Sequence, residues 1–149
     1  MQRTGGFTII ELIITVAILA IISAFAAPSL NSMVMKQNLN KSTRELIAVL
    51  QEARAQAVIE RRNVTVSVFN ANATVPANTA TQFNWRSSGK TVLRNTSATS
   101  ITFVLTGGVR DAVSDTTFAL CISPTENIGR NISISRMGTV QQVVEGTCT

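Results

Sequence analysis

Gly5-Gly6-Phe7-Thr8-Ile9-Ile10-Glu11-Leu12 opens an apolar run that reaches Ala27 and holds a single charge, Glu11. A short leader, residues 1–6 with Arg3 as its cation, precedes the run. As a helix, residues 7–27 rise about 32 Å, enough to span hydrocarbon. A carboxylate at membrane depth is costly, so a lone glutamate near the start of such a run marks function by default. Whatever this segment does, Glu11 is central to it.

Three readings compete for the segment. A permanent membrane anchor needs only the length and apolarity. A secretory signal would use Ala24-Phe25-Ala26 as its small-x-small cleavage site. Against that, Glu11 lies inside the would-be apolar region, and Gly5-Gly6 closes the leader before the region begins. The third reading cuts between Gly6 and Phe7 and leaves the apolar helix on the mature protein. Here the resemblance is close: Gly6-Phe7-Thr8-Ile9-Ile10-Glu11-Leu12 is similar to the class III signal of type IV prepilins and pseudopilins. That resemblance implies cleavage after Gly6 by a membrane-embedded prepilin peptidase and methylation of the new amino terminus at Phe7. It also implies that Glu11 sets register between subunits, and that Pro28 kinks or locally melts the helix. The physics agrees. The Phe7 amine would be cationic, Glu11 lies one turn on, and a buried charge needs a partner. Pro28 removes a donor and crowds the preceding turn, and simple termination of a spanning helix would explain it equally well.

Composition bounds the rest of the chain. The 149 residues leave room for one long helix and one small domain. The net charge of +5 falls by one when Arg3 leaves with the leader, and only 14% of residues are charged. Such a surface is polar and weakly basic, and gives little warrant for nucleic-acid binding. Cys121 and Cys148 are the two cysteines. An exported domain sits where disulfides persist, so a bond between them is expected, with two free buried thiols as the alternative. Closing that loop is worth roughly 3–4 kcal/mol on the chain-entropy account.

Beyond Asn31 the helix is expected to continue. Leu39, Thr43, Leu46, Ile47, Leu50, Ala53, Ala57 and Val58 recur at three- and four-residue spacings, while Lys36, Lys41, Arg44, Glu45, Glu52, Arg61 and Arg62 lie mostly off that stripe. From Phe7 to about Arg61 this helix would run roughly 80 Å. Short strands come next. Val64-Thr65-Val66-Ser67-Val68 alternates with period two, and Gln82 to Arg86 and Thr91 to Arg94 flank Ser87-Ser88-Gly89-Lys90, a predicted hairpin turn. Ser100 to Leu105, Thr117 to Ile122, Asn131 to Arg136 and Thr139 to Val144 complete the set, with 70–81 an exposed loop. The expected class is α+β: a long amino-terminal helix whose second half packs on an antiparallel sheet. Residues 1–6 would form the leader, 7–28 the apolar helix, 29–62 its amphipathic continuation and 63–149 the β-rich head.

Further resemblance is spread through the head. Leu50-Gln-Glu-Ala-Arg-Ala-Gln-Ala, Ser100-Ile-Thr-Phe before Gly107, Phe118-Ala-Leu-Cys121 and Arg130-Asn-Ile-Ser-Ile-Ser135 before Gly138 look like the FimT/FimU minor pilins and the related pseudopilin H of type II secretion. This resemblance implies a scarce subunit near a filament tip, working with other minor pilins, the major pilin, the prepilin peptidase and an inner-membrane assembly platform. The chain would cross the inner membrane once, head in the periplasm, before entering the pilus. A type II secretion pseudopilin is the alternative, and a DNA-binding minor pilin of transformation is another. Relatives of the last kind carry a Gly-Arg-x-Arg motif. The position here reads Gly138-Thr139-Val140-Gln141, without either arginine. Threonine and glutamine can hydrogen-bond but release no counterions. Arg130 and Arg136 are the nearby cations, with Gly129-Arg130 a displaced partial match, and both read better as solvated positions at strand ends.

Smaller signals weigh little. Trp85 reads as a strand anchor on the helix, and Asp111 and Asp115 as solvated turn residues rather than paired carboxylates. Asn63, Asn72, Asn95 and Asn131 begin sequons that a chain so rich in Asn and Thr produces by chance. With no histidine and no nucleophile beside a base, neither an enzyme, a metal site nor a cofactor is expected. Amino-terminal sequencing of the mature protein should begin at N-methylated Phe7. A start at Met1, or beyond Ala26, would remove Glu11's proposed partner.

Overall fold

The structure, a computed structural model, describes residues 7–122 and 127–148, and in that range not the side chains of 26–28. The leader with Gly6 lies outside the described residues, as does the side chain of Pro28. The chain divides into two compact units between Val34 and Met35. One helix, α1, runs Ile9–Ile59 and contributes to both.

Thr8 starts the helix. Its hydroxyl accepts the Glu11 amide at 3.3 Å and its carbonyl accepts the Leu12 amide at 3.2 Å, which makes Thr8 the N-cap and Glu11 the third helical residue. In the amino-terminal unit every described side chain from Phe7 to Phe25 is exposed. Its hydroxyls turn inward on the helix itself: Thr15 donates to the Leu12 carbonyl and Ser23 to the Leu19 carbonyl. Internally satisfied hydroxyls are what an apolar solvent requires. At the other end Arg61 adopts φ +50°, and the Arg62 amide bonds back to the Ala57 carbonyl at 3.2 Å. That left-handed cap closes α1 without a glycine.

The second unit folds around residues 35–59 of the helix and two sheets. One sheet orders β2 (Gln82–Arg86), β1 (Val64–Phe69) and β4 (Ser100–Phe103). The other orders β3 (Thr91–Leu93), β5 (Thr116–Ile122), β6 (Gly129–Ile134) and β7 (Val140–Gly146), all antiparallel. The α+β class is as expected, but the head holds two sheets rather than one antiparallel sheet, and the first contains a parallel pair: β1 and β2 align Val66 with Phe83 and Val68 with Trp85. Parallel neighbours need a crossover of roughly a dozen residues. The exposed loop at 70–81 supplies it, pinned where the Asn84 amide donates to Asn78 Oδ1 at 2.7 Å.

The hairpin expected at 87–90 does not form. The turn instead carries the chain from one sheet to the other, because its hydrogen bonds go elsewhere: Ser87 to the Phe69 carbonyl, Ser88 to the Ser42 hydroxyl. Gly89 is needed there. It sits at φ +63° against the Asn38 side chain.

The core gathers Leu39, Leu46, Leu50, Ala53 and Ala57 of α1 with Val64, Val66, Trp85, Phe103, Phe118, Leu120, Ile132 and Ile134. Ile47 is only half-buried, and Val58 is exposed rather than part of the stripe, since Ala57 already occupies its turn. Cys121 and Cys148 are bonded, with Cα atoms 5.8 Å apart, and tie β5 to the chain beyond β7. Replacing Leu46 by Ala should lower unfolding free energy by about 2–5 kcal/mol in denaturant titrations, whereas Val58→Ala should stay within about 0.5 kcal/mol. Equal losses at both positions would contradict this core.

Candidate functional site

Two regions carry chemistry. In the amino-terminal unit, Phe7 is three-quarters exposed, and Ile9, Ile10, Leu12, Ile13, Val16, Leu19 and Phe25 are exposed around the whole circumference. A helix apolar on all sides is a buried or membrane helix, not a surface one. It is long and apolar enough to cross a bilayer. Glu11 occupies the first turn, where the helix dipole favours negative charge. Among the described residues it makes no ion pair. The capping role of Thr8 went unread in the sequence, although Thr8-Ile9-Ile10-Glu11 has the spacing of a capping box.

In the head, Arg130 is not a solvated strand end. Its guanidinium lies 2.7 Å from Glu145 of β7 and 3.4 Å from Asn40 Oδ1 of α1, and its side chain is only 22% exposed. Arg130 shares a face with Ile132 and Ile134 and is turned onto the helix by that parity. Arg136 is exposed, as expected. Gly129, the first half of the displaced partial match, is structural: a Cβ there would meet the Leu120 carbonyl at 2.8 Å and Cys148 Sγ at 2.9 Å.

The Gly138-Thr139-Val140-Gln141 segment stands in a different setting, one that the sequence did not expose. Arg54 reaches from α1 across two glycine turns of the head, those of Gly107 and Gly138. Its Nε donates to the Gly107 carbonyl at 2.9 Å and a terminal nitrogen donates to the Met137 carbonyl at 3.3 Å. Gly138, at φ +77°, packs so tightly on the Gly107 carbonyl that any side chain would collide with it. Arg54 belongs to the Leu50–Ala57 motif, so its signal was present, but nothing in one dimension paired it with residues 107 and 137. Asp111 and Asp115 lie on an exposed loop, and no metal-binding group occurs among the described residues.

Residues 42–138 match the family of the type II transport protein GspH, and residues 1–27 match the prokaryotic N-terminal methylation motif. The chain belongs to the GspH family. GspH-family membership together with this methylation motif makes it a type IV pilin-like protein, a minor pilin or pseudopilin. The head is similar to the type IV minor pilin FimU of Pseudomonas aeruginosa in two crystal forms. One gives a TM-score of 0.55 at 20% identity, covering 76% of this chain and 97% of that one; the other gives 0.53 at 21%, covering 74% and 100%. No curated protein sequence matches significantly. Family and fold are those of structural pilins, with an apolar amino-terminal helix for membrane anchoring and assembly with other pilins.

Arg54→Ala should cost about 1–3 kcal/mol in thermal or denaturant unfolding, and Arg54→Lys should recover little, because an ammonium cannot span both carbonyls as the planar fork does. Full rescue by lysine would show that only charge matters there.

Proposed function

We propose that this chain is a minor pilin of a type IV pilus, acting in the tip or priming complex on which the major pilin is added. The observation that carries the reading is the start of α1, from Ile9 to Phe25, with large apolar side chains exposed around its circumference and one carboxylate in its capped first turn. Prepilin peptidase removes residues 1–6, and the freed Phe7 nitrogen becomes methylated and cationic. The helix then holds the subunit in the inner membrane as a single pass, head in the periplasm. Glu11 pairs with the terminal amine of a neighbouring subunit. Within lipid there is little apolar driving force between helices, so close packing and this ion pair select the register. Although α1 runs through position 28 without interruption, Pro28 lacks an amide donor, so this is the turn at which the helix would open where it leaves the membrane.

A second reading, a minor pseudopilin of type II secretion, is favoured by the GspH match itself. Capture of DNA ranks below both. Arg130 is committed to Glu145 and Asn40, and Thr139 and Gln141 stand where DNA-binding relatives carry arginine.

Glu11→Ala should leave processing and membrane insertion intact but strand the neighbour's buried amine without a partner, at a cost of about 3–5 kcal/mol, so that surface piliation falls as in a deletion strain. Normal piliation in that variant would overturn the mechanism. Deletion that blocks export of folded proteins while twitching persists would move the chain to the secretion system.

A further inference from the structure

The Arg54 clamp does more than join the helix to the head. Between the end of α1 and the turn into β7 lies a groove of about 640 Å³, lined among others by Ala55, Val58, Ile59, Thr106, Gly138 and Val140. Two of the large apolar side chains that the head leaves exposed, Val58 and Ile59, line this groove, and two more, Leu105 and Met137, precede Thr106 and Gly138 of its lining in the chain. Clustered exposure of this kind marks an interaction surface, whereas scattered single residues do not. The walls are preformed, since Arg54 bonds both turns and the two glycines are held in left-handed conformations.

Charge narrows the occupant. Arg61 follows Ile59 by two residues and Arg136 precedes Gly138 by two; both are exposed, and neither is ion-paired among the described residues. The carboxylate at this end of the helix, Glu60, is already engaged by Arg62 and Gln56. The lining mixes the apolar Ala55, Val58, Ile59 and Val140 with Gln51, Arg54, Thr106 and Thr139, and the cations Arg61 and Arg136 lie two residues outside it in the chain. A nucleic acid would need free cations directed inward and aromatic stacking. The one guanidinium lining the groove is spent on backbone carbonyls, and no aromatic residue lines it.

We propose that this groove docks a segment of another pilin-family subunit that presents apolar side chains flanked by carboxylates. The inference rests on the assembly reading above and adds the surface through which the head selects its neighbour. Apolar burial would supply the attraction, and the Arg61 and Arg136 charges the orientation and the discrimination between neighbours.

The test places a photo-crosslinking residue at exposed position Ile59 of the full-length chain in cells. Adducts are mapped by mass spectrometry in isolated filaments or their assembly complex. The expected adduct joins Ile59 to a pilin-family subunit, at a segment with aspartate or glutamate beside its apolar residues. The charge reversals Arg61→Glu and Arg136→Glu together should cut its yield at least about fivefold, and a matching carboxylate-to-lysine change in the partner should restore it. Arg110→Glu, outside the groove, should leave the yield unchanged. Presence of the chain in filaments without an adduct would overturn the groove while leaving the pilin reading standing. So would an adduct to lipid, to nucleic acid or to a segment without carboxylates, or a yield indifferent to charge reversal. Absence of the chain from every such assembly would overturn the assembly reading and this inference with it.

Discussion

An apolar helix that its own chain leaves uncovered governs this protein. From Phe7 to Phe25 every described side chain is exposed, and most are Ile, Leu, Val, Ala or Phe. Water cannot be the resting solvent of such a surface, because each large apolar side chain left wet forgoes about 1.5–3 kcal/mol. Lipid or neighbouring subunits must provide the cover. Glu11 is the exception, a lone carboxylate in the first turn, whose amide is capped by Thr8 and where the helix dipole favours negative charge; a medium of low dielectric would make it depend on a cation.

The head solves a different problem: fastening an amphipathic helix to two small sheets of three and four strands. Apolar residues of α1 fill the space between them, and polar links then fix the pieces in place. Ser42 receives the turn between β2 and β3, Arg130 joins β6 to β7 and reaches α1, and Arg54 holds the turns of Gly107 and Gly138. The disulfide secures the chain after β7, where the edge strand is exposed along most of its length. The polar links form only in the folded chain, whereas the disulfide also restricts the unfolded ensemble.

Arginine has three uses in this head, and the difference is one of surroundings rather than residue type. Arg54 caps backbone carbonyls, Arg130 neutralises a carboxylate beside the helix, and Arg136 remains in solvent. A net charge of +5 therefore overstates what the surface offers a polyanion. The absence of arginine from the Gly138 segment matters in the same way. It leaves threonine and valine beside an apolar helix end, a surface suited to protein rather than phosphate.

Local signals sufficed for much of this. The apolar run, its glutamate, the helical stripe from Leu39 to Ala57 and the alternation in β1 and β6 are read at short range, because helix and strand periods are set by neighbouring residues. The Thr8 cap is equally local, a Thr-x-x-Glu spacing within one helical turn. What the chain could not disclose by itself were relations at long range: β1 and β2 lying parallel, the 87–90 turn crossing between sheets, Arg130 folded onto Glu145, and Arg54 meeting residues 107 and 137. Each depends on where a distant backbone happens to leave a carbonyl, a carboxylate or a strand edge unpaired. Periodicity records which face a residue presents, and only the assembled tertiary structure decides what that face meets.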